Sequence, residues 1–201
     1  MARAEKRPLE GQGQGEDERA ESGGLIGLIT VSCRHIALLA AVIATCGSLF
    51  FSEALHWLPC QLCWYQRILM YPLTVILTVG ILRRDRGLHW YALPLSLAGM
   101  GVSTYHYLEV MRLIEPAPCS GVVPCSVDYL TPILTGPLSF VKIPFLALVA
   151  FTIISVMLGN LAVADDEALP RSGGGQAAAG WWAIGIIAVT TVVFLGLGAA
   201  L

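Results

Sequence analysis

Five apolar runs of about 20 residues, the length that crosses a bilayer core as a helix, constrain this chain more than any other feature. They cover residues 35–55, 64–82, 88–111, 140–163 and 181–201. With 56% of residues hydrophobic and only 13% charged, the expected fold is all-α, an integral membrane four-helix bundle over 25–163 with an extra fifth transmembrane helix at 181–201. Residues 164–180 read as a linker. Residues 1–24, rich in Gly, Glu, Gln and Arg, have little to bury and read as a disordered cytoplasmic tail. Several acids precede the first apolar run, which is unlike a cleaved signal peptide. Lys and Arg concentrate in cytoplasmic loops. An N-terminus inside puts nine of them there, against three elsewhere (Arg67, Arg112 and Lys142), with Arg83-Arg84-Asp85-Arg86-Gly87 as a sharp cytoplasmic hairpin. No internal repeat or nucleic-acid motif is present.

Under that topology Cys60-Gln61-Leu62-Cys63, at the start of the second span, faces the extracytoplasmic side, where disulfides persist. A Cys-X-X-Cys at a helix start brings a thiol near free backbone N–H groups and the positive end of the helix dipole, which favours thiolate. Cys63 is expected to gain most. Arg67, four residues on, stands on the same helical face and adds a fixed positive charge. By itself such an arginine is also consistent with a side chain reaching for the membrane interface. Beside the cysteine pair, the reading is stabilisation of the Cys63 thiolate.

Cys119 and Cys125, separated by five residues in the longest outer loop, form a second pair on the same side. Pro116, Pro118 and Pro124 keep this stretch from being helical throughout, and Gly121 supplies a bend. A disulfide between the two is geometrically possible, serving either as a loop staple or, beside the first pair, as a redox exchange partner. Downstream, Val127, Leu130, Ile133 and Leu134 recur at roughly helical spacing. They suggest a short amphipathic segment on the outer leaflet, or a loop that merely touches lipid. His106, near the outer end of the third span, reads either as a satisfied core histidine or as a hydrogen-bonding group of the site. Trp57, Trp64, Tyr65 and Tyr107 read as interfacial aromatics, and Cys33 and Cys46 as small buried residues.

Cys60-Gln-Leu-Cys63-Trp-Tyr-Gln-Arg67 resembles the active-site signature of the disulfide bond formation protein B (DsbB) family of membrane thiol:quinone oxidoreductases. Tyr105-His106 and the stretch from Cys119 through Lys142-Ile-Pro-Phe145 are also similar to that family, especially its BdbC-like branch, whose second cysteine pair is closely spaced. The resemblance covers roughly residues 35–163; the fifth span and the long polar tail fall outside the usual four-helix pattern.

The resemblance implies an enzyme of the inner (cytoplasmic) membrane that supports disulfide bond formation. Its reductant would be an extracytoplasmic thioredoxin-like thiol oxidase of the DsbA/BdbD type, and its acceptor the membrane quinone pool, ubiquinone or menaquinone. Carried over by position, Cys119 forms the mixed disulfide with the partner, Cys125 exchanges with Cys60, and Cys63 faces the quinone, with Arg67 and His106 as quinone-binding residues. A vitamin K epoxide reductase-like enzyme is the main alternative. Such enzymes place the Cys-X-X-Cys late in the bundle, whereas here it opens the second span. A four-cysteine metal site from Cys60, Cys63, Cys119 and Cys125 has enough sulfur for tetrahedral zinc. The wide second spacing and the charge on Arg67 oppose it, and no metal is expected.

Overall fold

The computed structural model describes residues 13–115, 123–130, 136–163 and 176–200, with side chains from residue 32 in the first segment and from 180 in the last. Its helices are α1 (Gly13–Glu53), α2 (Gln61–Arg83), α3 (Leu88–Val110), α4 (Ile143–Val163) and α5 (Gln176–Ala199), with a 3-10 turn at Gly136–Leu138 before α4. No strand occurs among the described residues.

α1 through α4 close into a ring in which each helix packs on its neighbours in sequence and α4 returns to α1; α5 lies outside, against α1 and α2. Leu38, Leu73, Leu77, Phe151, Ile154 and Leu158 fill the centre and are wholly buried. The outward faces are apolar as well. Ile68, Val75, Val156 and Leu195 are each more than half exposed, a pattern that suits lipid rather than water. Among the described residues, four helices are long and apolar enough to cross a membrane: Ser32–Glu53 within α1, then α2, α4 and Gly180–Ala199 within α5. The chain is a multi-pass membrane protein.

α3 has the length of a span, 23 residues, but falls short of the others in hydropathy because it turns polar groups inward. Ser96, Ser103, His106 and Glu109 are all buried on it. Ser96 Oγ lies 2.8 Å from Ser155 Oγ and donates to the Phe151 carbonyl at 3.1 Å, pinning α3 to α4. Next to this link Gly99 removes the side chain that would collide with Phe151; a Cβ there would sit 2.2 Å from the ring.

The boundaries depart from expectation at both ends. α1 begins at Gly13, so residues 13–24 of the expected tail belong to the helix. Glu16, Glu18, Arg19 and Ala20 are good helix formers that propagate the span backwards. Residues 1–12 lie outside the described residues, as do 164–175 of the expected linker, and α5 starts at Gln176 rather than 181. The 83–87 hairpin is as short as expected. Arg84 closes α2 in the left-handed conformation (φ 57°), and Asp85 accepts from the Gly87 N–H at 2.9 Å and from the Tyr91 hydroxyl. The expected amphipathic segment is turn rather than helix over 125–130, with Leu130 buried; Ile133 and Leu134 lie outside the described residues.

Candidate active site

α1 stops at Glu53, and Pro59, which disfavours helix in the residue before it, helps keep the chain extended up to Cys60. Cys60 becomes the N-cap of α2, its sulfur accepting from the Cys63 backbone N–H at 3.3 Å. That N–H is one of the donors a helix start leaves unpaired. The sulfur that benefits is therefore Cys60, not Cys63 as the spacing suggests: the free N–H belongs to Cys63 but points back to the capping residue. Both cysteines are free thiols, and their sulfurs are in hydrogen-bond contact at 2.9 Å. This hydrogen bond is the main reason the Cys60 thiol ionises well below the usual thiol range. Burial opposes the shift, and His106 and the Cys63 N–H reinforce it.

His106 reaches the same point from α3 and is almost wholly buried. Its Nδ1 is 3.2 Å from the Gln66 side-chain nitrogen, and its Nε2 is 3.1 Å from the Cys125 carbonyl and 3.6 Å from Cys60 Sγ. An amide nitrogen can only donate, so Nδ1 accepts and Nε2 carries the proton. The ring donates to the Cys125 carbonyl with the Cys60 sulfur alongside. Of the two readings of His106, these contacts match the satisfied core histidine. Both nitrogens are already engaged, and the ring joins the two cysteine loops.

Cys125 is buried and disulfide-bonded, and it packs with Cys60, Leu62 and Cys63. Cys119 lies outside the described residues. The described parts of this connection, 123–130 and 136–142, are held over the helix ends by contacts on both sides. Tyr129 Oη donates to the Leu58 carbonyl at 3.2 Å, Tyr107 Oη to the Phe140 carbonyl at 3.1 Å, and Lys142 forms an ion pair with Asp128.

Beneath the cysteines lies a cavity of about 540 Å³ between α1, α2 and α4. Cys60, Cys63, Gln66, Arg67 and His106 line it on the cysteine side, and Ala40, Ile43, Met70, Phe151 and Ile153 are among its apolar walls. Arg67 turns towards α1, its Nη2 donating to the Ser48 carbonyl at 2.9 Å, and its guanidinium lies 5.3 Å from the Trp64 ring centroid. It is a cavity residue, not one extended to the interface. Trp57, expected at the interface, also lines the cavity. Its ring is stacked between Phe51 and Tyr129 at 5.3 and 5.2 Å. Trp64 and Tyr65 are exposed as expected, and Cys33 and Cys46 are free thiols packed in or against the core of the bundle. Gln66, Ser48 and Trp57 gained no site role from sequence; for Gln66 the spacing of three from Cys63 was the available signal.

A multi-pass helical protein with a free Cys-X-X-Cys dithiol packed against a disulfide-bonded loop cysteine, above an apolar cavity, has the architecture of a membrane thiol–disulfide exchange protein. The model of the family described as disulfide bond formation protein DsbB matches residues 31–201, and the chain belongs to that family. Among its relatives, a probable disulfide formation protein C of Halalkalibacterium halodurans is 48% identical over 120 residues, 59% of this chain and 84% of that protein. Disulfide bond formation protein C of Bacillus subtilis is 43% identical over 126 residues, covering 62% and 88%. A probable disulfide formation protein of Deinococcus radiodurans is 38% identical over 136 residues, covering 62% and 84%. No solved structure matches the chain.

Proposed function

We propose that this membrane disulfide-bond-formation protein is a thiol:quinone oxidoreductase that reoxidises an extracytoplasmic thioredoxin-like dithiol protein. The observation that carries the reading is the position of His106, whose Nε2 touches both the Cys125 carbonyl and the Cys60 sulfur. That contact brings Cys125 and the Cys60–Cys63 pair to one point above an apolar cavity. The family membership and the names of the relatives support the same reading.

The route is a chain of exchanges in which each thiolate attacks a disulfide sulfur. A partner thiolate attacks Cys119 of the Cys119–Cys125 disulfide and releases Cys125. The second partner thiol resolves this mixed disulfide, so the partner leaves oxidised and Cys119 and Cys125 are thiols. Cys125 then attacks Cys60 of the Cys60–Cys63 disulfide, forming Cys60–Cys125 and releasing Cys63. Cys119 attacks Cys125, restoring the loop disulfide and freeing Cys60 as a thiolate held by the Cys63 hydrogen bonds.

A membrane quinone supplies a two-electron, two-proton acceptor that returns Cys60 and Cys63 to the disulfide. The cavity suits such a molecule. Its volume is within the range of small-molecule sites, its walls take a ring and the start of an isoprenoid tail, and its polar groups gather on the cysteine side. Arg67 would hold negative charge as it grows on a ring oxygen. While Cys60 is bonded to Cys125, Cys63 has the free sulfur at the cavity, one helical turn from Arg67. The orientation proposed has the N-terminus and the 83–87 hairpin in the cytoplasm and both cysteine loops outside the inner membrane.

Trapping tests the route. With a partner lacking its resolving cysteine, the chain with its loop disulfide intact should accumulate a covalent complex through Cys119, because attack on that disulfide releases Cys125 and no second partner thiol is present to break the mixed disulfide. Cys119→Ser should form none while its Cys60–Cys63 pair still responds to quinone. Equal trapping through both loop cysteines would overturn the assigned roles, and trapping through Cys60 alone would reduce the loop pair to a staple.

A further inference from the structure

We infer that the reduced Cys60–Cys63 pair and His106 form a chelating site for a thiophilic d10 cation such as Zn2+ or Cd2+, and that metal held there closes the electron route. Three potential ligand atoms, Cys60 Sγ, Cys63 Sγ and His106 Nε2, all lie within 4.8 Å of one another in a buried pocket. The set is not the four-cysteine site that spacing alone suggests, because Cys125 is tied up in a disulfide and a histidine from another helix takes its place; the Arg67 charge that opposes a cation is turned to the Ser48 carbonyl on α1, and two thiolates offset the charge of the ion.

The geometry is close to what a tetrahedral ion needs. Bonds of about 2.3 Å to sulfur and about 2.0 Å to nitrogen place ligand sulfur and nitrogen about 3.5 Å apart, and two ligand sulfurs about 3.8 Å apart. Cys60 Sγ and His106 Nε2 are already 3.6 Å apart. The two sulfurs, at 2.9 Å, must open by about 0.9 Å, a side-chain adjustment at the first turn of a helix. The fourth position faces the cavity that both cysteines line.

The protons balance without any redox change. Binding a divalent ion displaces to solvent whatever protons the Cys60 and Cys63 thiols carry, and two thiolates neutralise the ion. His106 must offer Nε2 as a lone pair, which moves its proton to Nδ1. Gln66 can follow by turning its amide, so that the side-chain oxygen accepts from Nδ1–H where the nitrogen now donates. Gln66 then orients the ligand histidine from behind. Loading withdraws both sulfurs of the pair, so the loaded protein passes no electrons until the metal leaves.

The site requires the dithiol state that the proposed electron route generates, but metal binding can be read with neither partner nor quinone, so either reading can fail alone. The full chain carrying Cys119→Ser and Cys125→Ser, reduced and in detergent, is titrated with Cd2+ while thiolate-to-metal charge-transfer absorption is followed. One ion per chain is expected, with absorption for two thiolates, and none after Cys60 and Cys63 are oxidised to the disulfide. Adding His106→Ala should weaken binding at least tenfold. Adding His106→Cys should keep the ion and raise the absorption by half, as a third thiolate joins. Binding that persists unchanged in His106→Ala, absorption that stays at two thiolates in His106→Cys, or equal binding to the oxidised chain would each overturn the site.

Discussion

Gly99→Ala offers a test of the cavity from a position that touches none of the cysteines. The new Cβ would sit 2.2, 2.3 and 2.5 Å from three atoms of the Phe151 ring, where ordinary contact begins at 3.4 Å. The ring must therefore withdraw by about 1.2 Å, and overpacking of this kind costs about 1–3 kcal/mol. Phe151 is wholly buried and forms part of the cavity wall, so the open space available to it is the cavity. A quinone must push the ring back. The relief gained in the empty cavity is then lost on binding, and the quinone KM should rise by about 5–150-fold, the equivalent of 1–3 kcal/mol. Exchange with the thiol partner should keep its rate, since Cys125 sits at His106, about two turns along α3 from Gly99. Gly101→Ala is the matched control. It sits on the same helix with nothing within 4 Å of its Cβ, so it shares the gain of about 1 kcal/mol in helix propensity without the collision. Purified variants would be compared by steady-state quinone reduction and by thermal midpoint in detergent. If Gly99→Ala matches Gly101→Ala in both, the cavity is not where quinone binds or Phe151 has another way to yield.

Arg67→Ala should lower the rate of quinone reduction by about 10²–10³-fold, the scale of losing a preorganised charge at a reacting oxygen. It should leave trapping of the partner intact; equal losses in both assays would make Arg67 a structural tie to Ser48. Alkylation of Cys60 in the reduced protein should stay level as pH falls from about 8 to about 6, whereas an ordinary thiol of pKa about 8.5 loses a factor of ten per unit. The same lowered ionisation stabilises the folded dithiol form above the ordinary thiol pKa, and that contribution is lost as pH falls through the lowered value. A Cys60 alkylation profile centred near the ordinary value of about 8.5 would contradict the capping hydrogen bonds. A reporter fused after Leu201 should be active outside the cell, because five crossings from a cytoplasmic N-terminus end there. A cytoplasmic signal would mean that one helix, with the less apolar α3 or the peripheral α5 foremost, does not cross.

Long apolar runs made the helices legible in sequence, because in a bilayer hydrophobic length alone decides that a segment spans. The Cys60–Cys63 motif was legible for a similar reason: its spacing is local, and Pro59 before it marks a helix start. What escaped depends on which helix faces meet. Gln66 and His106 are 40 residues apart, and nothing local to either says that α2 and α3 turn them toward each other. The same holds for Trp57, which looked interfacial until Tyr129, 71 residues beyond the neighbouring Leu58, closed over it. The choice between Cys60 and Cys63 as the favoured thiolate turned on where α2 begins. A shift of the helix start from residue 64 to Gln61 makes Cys60 the cap, and helix ends are the part of a sequence reading that is least well determined.

The central claim is that two electrons travel from an external dithiol through both cysteine pairs to a quinone. It is tested most directly by mixing the purified chain with a reduced thioredoxin-like partner and a quinone analogue and following the quinone absorbance. The account predicts that one quinone is reduced for each partner disulfide formed, and that Cys63→Ser or Cys125→Ser abolishes the turnover. Partner oxidation that proceeds with no change in quinone absorbance, tried with both ubiquinone and menaquinone analogues, would contradict it.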